Sequence, residues 1–145
     1  MRVVVDTNIL FSAVLNTNGK IGKILLQPKP NISFFAPEIL MFEIKKHQGK
    51  LLKFTDNSNK EIEELIGLLT KRIKFIHSEF IPITVLQKSE NMLQKIDIDD
   101  TEFVALAEHI KGRLWTGDKK LIRGLELHNW KRIITTDELY SKNIF

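Results

Sequence analysis

The sequence predicts an α/β protein, a three-layer α/β/α sandwich around a central parallel sheet of about five strands. Short apolar runs rich in β-branched and aromatic residues alternate along the chain with segments whose apolar residues recur at helical spacing. The runs show no in-out alternation, as expected of strands covered on both faces. At 145 residues, with 43% hydrophobic and 28% charged content, the chain suits one domain with a single core, spanning 1–145.

The first strand is the valine run at 3–5. Residues 9–15 and 21–26 carry helical periodicity on either side of the loop cluster Asn16-Thr17-Asn18-Gly19, and Pro28 and Pro30 stop the second helix. The run ISFFA at 32–36, bounded by Pro30 and Pro37, is the second strand. Pro37 is expected in the first turn of a helix over 38–53, which points Ile39, Leu40, Phe42 and Ile44 to the core and ends in a cationic tail of Lys45, Lys46, Lys50 and Lys53. The loop Asp56-Asn57-Ser58-Asn59 offers N-caps to an amphipathic helix over 60–72.

Residues 73–76 make the third strand. Pro82 keeps 81–83 out of a central strand, so that stretch reads as a linker before a weakly helical 85–96. A stronger helix covers 99–109, with Asp99 as N-cap opposite Glu102. Gly112 closes it, RLWT at 113–116 is the fourth strand, 121–125 a short helix, and RIIT at 132–135 the fifth strand before a polar end. There is no repeat, low-complexity tract or domain linker.

The chain has no cysteine, which excludes disulfides, thiolate metal sites and a cysteine nucleophile; carboxylates and four histidines remain as metal ligands. No apolar run reaches membrane-spanning length and the start lacks a signal-peptide core, so a cytoplasmic protein with no membrane association is expected. The net charge of +4 is compatible with a polyanionic partner without demanding one.

In parallel sheets ligands bind beyond the carboxyl ends of the strands. Asp6 follows strand one and Asp118 follows strand four, on that same edge. Glu43 lies in the helix after strand two, and the run Asp97-Ile98-Asp99-Asp100 opens the helix before strand four. Each acid alone has a bland explanation: an N-cap for Asp6 or Asp118, a solvated helix face for Glu43, dipole-complementing acids for 99 and 100. Those explanations leave the shared location unaccounted for. Carboxylates crowded together repel unless a cation offsets them, and an all-oxygen ligand set favours Mg²⁺ or Mn²⁺.

Four blocks, VVVDTNIL at 3–10, PEILMFEIKKH at 37–47, DIDDTEFVALA at 97–107 and LWTGDKKL at 114–121, together resemble the PIN domain family, in its VapC-like and related toxin branch of ribonucleases. The resemblance places the family's four acids on Asp6, Glu43, Asp100 and Asp118. It puts Asp97 in a supporting metal-ligand position and Thr7, Asn8 and Thr116 beside the acids as hydrogen-bonding neighbours. It implies one or two Mg²⁺ or Mn²⁺ ions, water rather than the ribose 2′-OH as the attacking group on an RNA phosphodiester, and 5′-phosphate products. It further implies homodimerisation and a cognate antitoxin encoded separately.

Lys45 and Lys46 follow Glu43, and Lys119, Lys120 and Arg123 follow Asp118, so cations flank the acids in sequence and are candidates for holding the RNA backbone. Solvated helix faces explain most of them equally well. His47 reads as a surface residue, Trp115 as core, and Trp130 is open to either reading. Two further functions compete: a phosphotransfer domain with Asp6 as acceptor, although the haloacid dehalogenase pattern wants a second Asp where Asn8 stands, and a catalytically silent RNA-binding or scaffold domain of the same fold. Within the nucleases, a non-toxin RNA-processing enzyme is the alternative to a toxin.

Overall fold

Val3, Val4 and Val5 are wholly shielded from solvent, because the strand they form is the middle one of a five-stranded sheet with helices on both faces. The computed structural model describes residues 1–27 and 29–142; Pro28, expected to help stop the second helix, lies outside the described residues. Its strands are β1 (Arg2–Val5), β2 (Ser33–Pro37), β3 (Ile73–Ile76), β4 (Arg113–Trp115) and β5 (Ile133–Ile134). All pair in parallel, in the order β3-β2-β1-β4-β5. Val5 aligns with Trp115 across the β1–β4 pair, which brings the residues after each, Asp6 and Thr116, level with one another.

The connecting helices are α1 (Thr7–Leu15), α2 (Lys20–Leu26), α3 (Ile39–Lys46), α4 (Gln48–Phe54), α5 (Asn59–Thr70), α6 (Ile83–Leu93), α7 (Thr101–His109), α8 (Lys119–Leu127) and α9 (Thr136–Lys142). Strand order runs one way across the sheet from β1 to β3 and the other way from β3 to β5. Right-handed crossovers therefore put α1 to α5 on one face and α6 to α8 on the other. The packing agrees: α1 and α2 meet α5, α9 returns to α2, and α7 lies across β1, β2 and β4 with α6 against it. Trp115 and Phe34 fill the sheet face, ring centroids 6.0 Å apart. The Trp115 indole donates to Thr136 Oγ1 at 3.0 Å, so Trp115 is core.

Several boundaries differ from expectation. Pro37 ends β2, paired with Ile76, and α3 begins two residues later. The single helix over 38–53 is two, α3 and α4, interrupted at His47 just before Gly49, whose weak helix propensity makes a bend there least costly. The linker at Pro82 is the N-cap of α6, which starts at Ile83. Asp99 is not the N-cap of α7; Asp100 holds that position without a side-chain cap bond, and the capping side chain is that of Asp97, whose Oδ1 accepts from the Asp99 amide at 3.0 Å to hold a 3₁₀ turn over Ile98–Asp100. Gly112 does not close α7 through a left-handed conformation. Lys111 takes it, at φ 54°, while Gly112 lets the chain pass Arg2, whose carbonyl oxygen would stand 2.8 Å from an added Cβ. The polar end is helical: Thr135 and Glu138 bond reciprocally and cap α9.

Candidate active site

Between β1 and β4 the chain leaves the sheet in opposite directions, and the crevice at such a switch point is where parallel sheets bind ligands. Asp6 sits in it, nearly buried, its amide donating to Trp115 O at 3.1 Å as an extension of the β1–β4 ladder. The carboxylate is held from three sides. The Thr7 amide donates to Oδ1 at 2.8 Å, Asn8 Nδ2 to Oδ2 at 2.9 Å, and the buried Thr116 hydroxyl to Oδ2 at 2.7 Å. Asn8 reaches on to the Gly117 amide, which donates to its Oδ1 at 3.3 Å. Asp118, the N-cap of α8, accepts from the Lys120 and Leu121 amides, and its own amide donates to Thr116 Oγ1 at 3.1 Å. Thr116 thus ties the two strand ends together.

Glu43 arrives from α3, the helix that lies against α1. Thr7 Oγ1 donates to its Oε1 at 2.5 Å, so the residue after Asp6 orients the second acid. The turn carrying Asp97 and Asp99 brings Asp100 in at the foot of α7. Asp100 Oδ2 is, among the described residues, the buried side-chain atom left without a hydrogen-bond partner.

Charge repulsion follows from this crowding. Burial, then the carboxylates of Asp6, Asp97, Asp118 and Glu43, push the Asp100 carboxyl up to about 8. Burial raises Asp6 to about 6 against the hydrogen bonds from Thr116 and Thr7, with Glu43 and Asp118 adding to the rise. Glu43 is raised too, by burial and then by Asp99, Asp97 and Glu102, although Thr7 opposes the shift. A cation among these oxygens would relieve all three.

The donor set fits a hard divalent ion: oxygen ligands only, one of them buried and unpartnered. Among the described residues no three such side chains stand in a ready-made coordination shell. The carboxylates are gathered, and an ion would have to draw them closer. The ligands to do it would be Asp6, Glu43 and Asp100, with Asp97 and Asp118 at the margin.

Asp6, Glu43, Asp97 and Asp100 line one cleft of about 480 Å³, together with Thr7 and Asn8. Asp118 is not in its wall and enters through Thr116 and through its charge. Lys46 lines an adjoining groove with Glu43, Asp99 and Glu102. Lys45 does not share the cleft: two positions after Glu43 it turns to the other side of α3, into a groove with Gln48 and Glu63. Lys119, Lys120 and Arg123 are exposed on α8. Trp130 is half-buried, donating to Glu108 Oε2 at 3.0 Å.

Phe11, Ser12, Lys50 and Phe54 of the cleft wall carry no site signal in the sequence, while His47 reads there as a surface residue and Asp99 as a helix cap. Phe11 and Ser12 continue the α1 face of Thr7 and Asn8, while His47, Lys50 and Phe54 form a stripe on α4 at i, i+3 and i+7. That stripe is visible in the sequence only once α4 is known to turn back towards α1.

Comparison with known proteins agrees with this architecture. The PIN domain family model matches residues 4–139. A curated relative, the uncharacterized protein MJ1680 of Methanocaldococcus jannaschii, is 30% identical over 125 residues, covering 84% of this chain and 74% of the relative. Two solved structures share the fold. VapBC-1 of nontypeable Haemophilus influenzae matches with TM-score 0.68 and 20% identity, over 94% of this chain and 99% of that one. VapBC2 of Rickettsia felis, bound to a DNA fragment from its promoter, matches with TM-score 0.66 and 15% identity, over 93% and 97%. The chain belongs to the PIN domain family, a family of nucleases.

Proposed function

We propose that this chain is a metal-dependent endoribonuclease, one domain over 1–145, acting as the toxin of a toxin-antitoxin pair. The observation that carries the nuclease reading is the partnerless, buried Asp100 Oδ2 among carboxylates that raise one another. Such a site is incomplete without a cation. When bound, Mg²⁺ or Mn²⁺ would lower the pKa of water and offset the charge that builds on a phosphodiester under attack.

The protein's own part is positioning. Asp6, Glu43 and Asp100 supply the ligand set, Asp97 and Asp118 complete it from the margin, and Thr7, Asn8 and Thr116 fix the carboxylates from behind. Lys46, Lys119, Lys120 and Arg123 hold the RNA backbone at the rim; Lys45, on the far side of α3, stands outside this set. The toxin role and an antitoxin partner rest on the sequence resemblance to the VapC-like toxin branch, together with the likeness in fold to the two VapBC structures.

The test is cleavage of a mixed RNA pool with Mn²⁺, with EDTA, and with the Asp6→Asn protein. Cleavage only in the first sustains the assignment; equal activity in all three removes it. Growth arrest on expression, relieved by Asp118→Asn, is expected of a toxin. Normal growth with the intact protein would leave a processing nuclease.

A further inference from the structure

We infer that the α4 end of the cleft seats an unpaired nucleobase, with Phe54 and Phe11 as its stacking surface and Lys50 as the cation for the adjoining phosphate. The inference rests on the nuclease reading of the same cleft and assigns the residues that would hold a base beside the cut. Phe54 is 65% exposed at the C-terminal end of α4, and Phe11 is half-buried on the opposing face of α1. Both line the same cleft as Asp6 and Glu43.

Their placement follows from helix geometry. Thr7 and Phe11 are four residues apart on one face of α1, and the rise from Asp6 to Phe11 is about 7.5 Å, so an aromatic ring stands close to the carboxylates without being among them. On α4 the stripe of His47, Lys50 and Phe54 faces the same space. Lys53 Nζ stands 5.9 Å from the Phe54 ring centroid, adding positive charge beside the ring. An aromatic platform with interleaved cations is what single-stranded nucleic acid requires, since every base offers a π-face and every linkage a charge. A paired base is already stacked and cannot enter.

A protein segment could cover the same rings, and the experiment separates the two. A randomised pool of single-stranded hexaribonucleotides with 2-aminopurine at the third position is titrated against the full-length protein with Mn²⁺, using Asp118→Asn to prevent cleavage. We expect fluorescence quenching on binding, and apparent affinity about 10-fold weaker in the added Phe54→Ala variant but regained with Phe54→Trp. The same sequences annealed into duplex should give no quenching. In the cleaving protein, Phe54→Ala should raise KM about 10-fold and change kcat less than 3-fold. Equal quenching and equal KM with and without Phe54, or no quenching at all, overturns the base seat and leaves a protein partner as the occupant. Phe54-dependent quenching in a protein that never cleaves RNA would keep the base seat and remove the nuclease reading.

Discussion

The β1–α1 and β4–α8 turns look alike in sequence: an apolar strand, an Asp, then a helix. In the structure they differ. Asp118 is a full N-cap, satisfying two orphan amides of α8 through one oxygen. Asp6 is a poor cap, taking only the adjacent Thr7 amide, because its other oxygen is turned to Asn8 and Thr116. One aspartate serves its helix first and the cleft second; the other is buried against its own electrostatic preference. The cap and ligand readings of an acid are therefore not alternatives, and what separates the two residues is how far each gives up stability for the site.

Cleavage gives the largest contrast with any structural role. Asp6→Asn and Asp100→Asn should each lower kcat/KM by at least about 100-fold in Mn²⁺, measured on a cleaved RNA. A loss confined to Asp118→Asn would place the chemistry at the wrong turn. Thr116→Val should follow with about a 10-fold to 100-fold loss, since it releases Asp6 and the Asp118 amide while leaving every carboxylate in place.

Stability without metal should move in opposite directions at the two turns. Asp118→Ala removes a cap and should cost about 1 kcal/mol, a few degrees in Tm. Asp6→Asn removes a buried charge, and in EDTA its Tm should equal or exceed that of the parent. A clear fall in both would mean that Asp6 is mainly structural.

The pH dependence sharpens the same point. Asp6 at about 6 and Asp100 at about 8 bind protons in the folded chain that an unfolded chain, with carboxyls near 3.8, has already lost. Their contribution is therefore fully present below about pH 4 and is lost as pH rises towards about 8, and the rise of Asp6 to about 6 corresponds to about 3 kcal/mol. In EDTA, Tm should fall between pH 5 and pH 8, and Mn²⁺ should flatten the fall. An unchanged slope with Mn²⁺ would count against a cation at these carboxylates.

Much of this was legible in the sequence. The sheet was, because buried parallel strands read as unbroken runs such as VVV and SFFA, and so was the shared rim of Asp6 and Asp118, which follows from the strands being parallel. The cap of the 97–100 turn is ambiguous in sequence because three acids in four residues all satisfy the same preference, and only backbone geometry shows that Asp97 takes it. Lys45 was misplaced by reading neighbours in sequence as neighbours in space, when two residues on a helix point to nearly opposite sides. The Phe54 stripe was hidden by the break at His47, which no strong breaker announces. The capping pair Thr135 and Glu138 has the spacing of a capping box, but the polar stretch after it offers little apolar periodicity to mark a helix.

Because β1 is the middle strand, it stays uncovered until a neighbour has been made for each of its edges. Its partner β4 lies more than a hundred residues downstream, and the four acids are spread from 6 to 118. A ribosome adding residues one at a time therefore carries a chain whose cleft cannot close until the fourth strand has emerged. A truncated product of interrupted translation, ending before residue 113, would lack the strand that ties Asp6 in place and so would carry no finished site.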